Sequence, residues 1–135
     1  MRNLESLDAW KRGRELAHCG YRLTLEPPLA RHFALTDQIR RAAISIPANI
    51  AEGYALGTTA QFLRCLRISL GSTVELRAHV DLGCALQLVD PSAAAEIAAL
   101  CDRMVGILLG LIRKLGGANV SRLSPPGSRS PRRVH

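Results

Sequence analysis

Ser45, Asn49 and Glu52 are the residues of this chain whose types and spacing come closest to a reaction centre. Four and three positions apart, they share one side of a helix, and Pro47 stands among them. A hydroxyl, a carboxamide and a carboxylate are the materials of a nucleophile, a donor and a base. A proline inside a helix marks unusual backbone, which often accompanies function. A simpler account uses the same atoms. Pro47 has no N–H for the carbonyl of Ala43, and its ring presses on that turn at a cost of ~3 kcal/mol or more, so the helix kinks or strains. Ser45 and Asn49 can bond the backbone groups freed there. A buried hydrogen-bond cluster therefore accounts for Ser45, Asn49 and Glu52 as structural kink residues around Pro47.

No other arrangement offers catalysis. The chain has no HExxH, no Gly-rich phosphate loop and no nucleophile elbow. Cys19, Cys65, Cys84 and Cys101 are far apart, and His18, His32, His79 and His135 form no i,i+4 pair. The cysteines fall in apolar stretches, where a free thiol behaves as a small hydrophobe. Neither a metal nor a cofactor is expected, and the expectation is a protein that is not an enzyme.

The basic residues offer more. The chain carries a formal net charge of +7, unevenly spread. Residues 1–120 hold 14 Lys and Arg against all 11 acids, and the last fifteen add Arg122, Arg129, Arg132 and Arg133 without an acid. Nearly all the cations are arginine. A GC-rich coding bias explains that as well as anion recognition does, although the guanidinium fork suits phosphate. Lys11, Arg12 and Arg14 cluster near the start, Arg40 and Arg41 precede the proline segment, and Arg64 and Arg67 lie one turn apart. Phosphate-led binding of RNA or DNA is the sharp reading of this set. A solvated face, or salt bridges between subunits, is the bland one. Trp10, Tyr21, Phe33, Tyr54 and Phe62 mostly fall on helical seams, so no aromatic platform for base stacking is expected.

These residues must be carried by helices, because apolar positions recur at helical spacing and strand-like alternation is absent. The first helix is expected from Leu7 to Leu25, N-capped by Ser6 and stopped by Pro27-Pro28. The second runs from Leu35 through Pro47 to Leu56, with Gly57 ending it. The third opens on a Thr58–Gln61 capping box, follows a seam of Leu63, Leu66, Leu70 and Val74, and reaches Leu88. The fourth starts at Asp90-Pro91 and closes at Gly116-Gly117. Its Val105, Ile107, Leu108, Leu109, Leu111 and Ile112 nearly surround it, so it is either the most central helix or partly covered by another subunit. Short loops between long helices predict an all-α, antiparallel, up-down-up-down four-helix bundle with a proline-kinked second helix. It spans residues 1–117, followed by a basic tail over 118–135 that is expected to be disordered. No apolar run is long enough to span a membrane, and no signal-peptide core opens the chain, which points to the cytoplasm.

Three stretches carry a family resemblance. They are Leu7-Asp8-Ala9-Trp10-Lys11, the run from Leu35 to Gly53 containing Ser45-Ile46-Pro47-Ala48-Asn49-Ile50-Ala51-Glu52-Gly53, and Phe62-Leu63-Arg64 through Gly71-Ser72-Thr73-Val74-Glu75-Leu76. Together they resemble the four-helix bundle proteins encoded by intervening sequences in bacterial 23S ribosomal RNA genes, over residues 4–115. The same fold occurs in the accessory variability proteins of diversity-generating retroelements. The resemblance implies a ring-like homopentamer with a basic surface, which in the retroelement relatives engages nucleic acid and a reverse transcriptase. Arg40 and Arg41 match the family's paired basic positions, and Arg64 follows the aromatic entry to the third helix.

The combined expectation is a non-enzymatic oligomeric bundle binding RNA or DNA through Arg40, Arg41, Arg64 and Arg67, with Lys11, Arg12 and Arg14 behind them. The alternative is a protein–protein adaptor or scaffold for a partner enzyme such as a reverse transcriptase.

Overall fold

The structure, a computed structural model, describes residues 4–120, with side chains over 5–116. Four α-helices follow one another: α1 (Leu4–Leu23), α2 (Phe33–Leu56), α3 (Thr59–Ala85) and α4 (Pro91–Val120), with a single 3-10 turn at Leu29–Arg31 before α2. No strand occurs among the described residues. Each helix packs on its neighbours in the order α1–α2–α3–α4 and α4 closes back on α1, giving the antiparallel bundle. The α2–α3 contact is the most extensive of the four.

The core forms where the helical seams meet. Leu16 of α1, Ile39, Ile46 and Ile50 of α2, Leu66 and Leu76 of α3, and Met104 and Leu108 of α4 are all fully buried. Removing each such side chain from water contributes about 1.5–3 kcal/mol. Salt bridges and hydrogen bonds also join the helices at the surface. Lys114 Nζ lies 2.6 Å from Glu5 Oε1, tying the end of α4 to the start of α1. Arg77 of α3 pairs with Asp102 of α4. Arg40 Nε of α2 donates at 2.8 Å to Thr24 Oγ1, just past α1.

The helix ends depart from the sequence reading at several points. α1 begins at Leu4, so Ser6 is an interior, buried residue and not an N-cap. It ends at Leu23, and α3 ends at Ala85 rather than Leu88. There Leu86, Gln87 and Leu88 turn the chain, with Gln87 at φ 62°. α4 continues through Gly116 and Gly117 to Val120. Glycine stops a helix by turning left-handed, and among the described residues Gly57 is the glycine at positive φ, 85°, capping α2. The Arg-rich tail from Ser121 onward lies outside the described residues. Thr58 caps α3 as the spacing implies, accepting from Gln61 N at 3.2 Å, but its hydroxyl also donates to Gln61 Oε1 at 2.9 Å.

The seam of α3 is the larger correction. Val74 is 55% exposed, while Ser69 and Thr73 are fully buried with Leu66, Leu76 and Val80. Leu63, Leu66, Leu70 and Val74 share an arc about 80° wide, while 66, 69, 73, 76 and 80 hold an arc of the same width rotated by about 80°, and it is the second that turns most fully to the core. The buried hydroxyls tolerate that face because each is hydrogen-bonded. Likewise α4 is less surrounded than its composition implies. Leu108 and Leu111 are buried, Val105, Ile107, Leu109 and Ile112 are half-buried, and Gly106 and Gly110 face open space.

Candidate functional site

The chain passes through Pro47 without breaking α2, and hydrogen bonds within α2 and across to α3 surround that point. Asn49 Nδ2 donates to Ser45 O and to Ser45 Oγ, both at 2.9 Å. Ser72 Oγ of α3 donates to Ser45 Oγ at 2.8 Å. One turn toward the α3 start, Ser69 Oγ donates to Ile46 O at 2.9 Å, and Thr73 Oγ1 donates back to Ser69 O at 2.9 Å. No buried side-chain donor or acceptor is left unsatisfied among the described residues. Ser45 Oγ thus accepts two hydrogen bonds, and neither partner is an imidazole or a carboxylate. Glu52 stands outside this set, exposed on the surface of α2. Ser69, Ser72 and Thr73 escaped sequence reasoning, although hydroxyls falling on an apolar period are the signal that could have found them.

Gly53 sets how closely the two helices approach. A Cβ there would lie 2.7 Å from Cys65 Cβ and 2.8 Å from Phe62 Cδ2. The side-chain pairs Ser45–Ser72 and Gly53–Cys65 also give the antiparallel register. Arg41 is therefore level with residue 76 or 77, roughly 18–20 Å along the bundle from Arg64 at ~1.5 Å per residue.

The predicted basic residues do not converge on one patch within a single chain. Arg40 is half-buried, its guanidinium carbon 4.8 Å from the Tyr21 ring centroid and its Nε engaged by Thr24. It holds α1 against α2. Arg41 is exposed and lies 3.9 Å from Asp37, and Arg12 lies 3.8 Å from Asp8. Arg14 stands over Trp10 at 5.7 Å from the ring centroid. Lys11, Arg64 and Arg67 are exposed and enter no ion pair among the described residues. On α1, Lys11 and Arg14 share an outward face with His18 and Arg22, all exposed. His18 and Arg22 were not among the sequence candidates.

Two roomy concavities among the described residues carry the wrong charge for an anion. One, about 460 Å³, lies where the α1–α2 and α3–α4 connections meet and includes Glu26 and Asp90. The other, about 470 Å³, lies between α1 and α4 and includes Glu5 and Asp8. Among the described residues no group of His, Cys, Asp and Glu could hold a metal ion. Burial pushes the Cys101 thiol up to about 12, and raises Cys65 and Cys19 above the ordinary thiol value. A thiolate nucleophile is thereby disfavoured at each of the three. No helix of the described residues is long and apolar enough to cross a membrane.

Residues 5–110 match the sequence model of a family described as 23S rRNA-intervening sequence protein. The chain belongs to that family. The match takes in α1, α2, α3 and most of α4, and so contains both the Pro47 cluster and all the basic candidates. The fold also matches a crystal structure of a protein of unknown function from the S23 ribosomal protein family of Bacteroides thetaiotaomicron VPI-5482. The TM-score is 0.74 at 20% identity, over 82% of this chain and 99% of that one. At that identity the likeness speaks for the bundle alone. No curated protein matches the chain. The family is one of unknown function, and its description names an intervening sequence of 23S rRNA.

Proposed function

We propose that this family member is a non-enzymatic, self-associating helical bundle that binds RNA or DNA through phosphate contacts. The observation that carries the reading is a set of cations that pair with no carboxylate among the described residues: Arg64 and Arg67 on α3, and Lys11 and Arg14 on α1. Guanidinium groups left free on a surface are ready partners for phosphate oxygens. Arg12 and Arg41 join them at small cost, because exposed i,i+4 ion pairs contribute only about 0.3–0.5 kcal/mol. Arg40 leaves the first rank, since its side chain already fastens α1 to α2.

Self-association supports the same reading. Ile68, Val74 and Leu82 of α3, with Leu86 just past its end, are exposed apolar side chains beside Arg64 and Arg67, and a second chain would cover some of them. A homopentamer, as the family resemblance implies, is the proposed state. Phe33, 80% exposed, and Ile44 favour one second reading, a scaffold that docks a partner enzyme such as the reverse transcriptase served by the accessory variability proteins.

The test is binding of a structured RNA and a matched DNA duplex across a salt series, with the full chain and the Arg64→Glu/Arg67→Glu double variant. The affinity is expected to fall steeply with salt, and the double variant to lower the logarithmic slope by about 2. Absence of binding at low salt, or an unchanged slope, overturns the reading in favour of the scaffold.

A further inference from the structure

The α1–α2 and α3–α4 connections come together at one end of the bundle, around the concavity of about 460 Å³. Its walls are largely apolar, with Leu23 and Leu88 beside Pro27, Pro28 and Pro91. Two carboxylates, Glu26 and Asp90, border it, and no Lys or Arg does. Both are exposed, and neither pairs with a cation among the described residues. A chain of net charge +7 thus keeps an apolar-walled groove whose charged groups are all acidic.

One segment of the same chain is its complement. Residues 121–135, outside the described residues, hold Arg122, Arg129, Arg132 and Arg133 with no acid, and Pro125, Pro126 and Pro131 stand among them. Proline-bearing segments dock in apolar grooves in extended form, with little conformational entropy left to lose. In that form Arg129 and Arg132, three positions apart, fall on one side of the chain at about 9 Å. Guanidinium forks pair bidentately with carboxylates.

Reach decides which copy supplies the segment. The groove lies at the start of α4 and the segment follows its end, and α4 is 30 residues long, about 45 Å. An extended chain covers at most about 3.6 Å per residue, so counting from Val120 Arg129 reaches about 32 Å back along the bundle and Arg132 about 43 Å. The two arginines cannot sit together in the groove of their own chain. A second copy placed end to end meets no such limit.

We propose that this groove takes the segment 121–135 of a second copy, with Arg129 and Arg132 on Glu26 and Asp90 and the prolines against Leu23 and Leu88. The contact is heterologous, the groove of one copy receiving the segment of the next, so copies join end to end and either close into a ring or run on. It uses neither the α3 surface nor Arg64 and Arg67, and stands independently of the phosphate-binding reading.

Cys84 is half-buried and lines the groove, so its reactivity reports occupancy. Dilute full-length protein is titrated with a fluorophore-labelled peptide of residues 121–135, and anisotropy gives the affinity. A thiol reagent is then applied with and without the peptide, and mass spectrometry follows modification of Cys84 and of half-buried Cys19. Binding that slows Cys84 severalfold and leaves Cys19 unchanged is expected, and raising the concentration of the protein alone should protect Cys84 in the same way. The Glu26→Gln/Asp90→Asn protein, which keeps a capping side chain before α4, and the Arg129→Ala/Arg132→Ala peptide are each expected to weaken binding about tenfold, with circular dichroism of the protein unchanged. No binding, binding without protection of Cys84, or full affinity after either change overturns the proposal. Protection that does not depend on protein concentration assigns the groove to the chain's own segment. Concentration-dependent protection that survives Arg129→Ala/Arg132→Ala in the full chain assigns it to another surface of the second copy. Either result overturns the proposal as well, and none of them touches the phosphate reading.

Discussion

Ser69 on α3 donates its hydroxyl hydrogen bond at 2.9 Å to the carbonyl of Ile46 on α2, the residue immediately before Pro47. That bond, with the Ser72–Ser45 bond beside it, places a polar seam inside the most extensive helix contact of the bundle. A proline in a helix interior removes one backbone donor and crowds the preceding turn. Here the neighbouring helix sets hydroxyl donors at the same level, reaching Ile46 O and Ser45 Oγ rather than the Ala43 carbonyl, and Asn49 closes over Ser45 from one turn below.

Ser69→Ala is expected to lower stability by about 0.5–1.5 kcal/mol, the net worth of one hydrogen bond. Ser69→Val is expected to cost more, about 1–3 kcal/mol, because extra methyls enter a filled interface. Urea unfolding of the two variants beside the parent chain checks the order. A stable valine variant would show that the seam is packed loosely and that the hydroxyl is dispensable.

Gly53→Ala places a Cβ within 2.7 Å of Cys65 Cβ. The clash is with side-chain and backbone atoms close to the α3 axis, so the helices must separate. A loss of about 1–3 kcal/mol is expected, and the paired Gly53→Ala/Cys65→Gly variant should recover part of it by vacating the space. Thermal unfolding of the single and double variants measures this coupling.

Arg40→Lys keeps the charge but loses the Nε–H bond to Thr24 and the flat contact with Tyr21. Stability is expected to fall by about 1–2 kcal/mol, with little change in the salt slope of nucleic-acid binding. Arg64→Lys is expected to leave stability within about 0.5 kcal/mol. The reverse pattern would return Arg40 to the phosphate-binding set.

The thiols give a pH signature. Burial raises Cys101 to about 12 and also raises Cys65. A thiol raised in the folded state holds its proton after the unfolded chain has lost it. Its contribution to stability is complete below the unfolded thiol range and fades as pH climbs from about 9 toward 12. Unfolding midpoints are therefore expected to fall across that alkaline window, and Cys101→Ala is expected to flatten the fall. In the native protein, a thiol reagent at mildly alkaline pH should modify half-buried Cys84 well before Cys65 and Cys101.

What the sequence determined by itself was the class of structure and the direction of the chain. Apolar spacing, Pro27-Pro28, Gly57, Thr58 and Asp90-Pro91 act within a turn or two of themselves, so four helices and their antiparallel order were readable from local chemistry. The run from Ser45 to Gly53 likewise marked the place where backbone needs help. The tertiary structure alone decided which side chains gather there. Ser69, Ser72 and Thr73 are ordinary polar residues until α3 lies against α2, and Val74 is an ordinary core residue until the register turns it outward. It also divided the arginines, because a guanidinium is free or committed only according to what another helix sets beside it. Arg40 met Thr24 and Tyr21, Arg77 met Asp102, and Arg64 and Arg67 met no carboxylate among the described residues. Local spacing fixes the helices because their hydrogen bonds span four residues. Partnership between side chains on different helices depends on register and rotation, which no single helix contains.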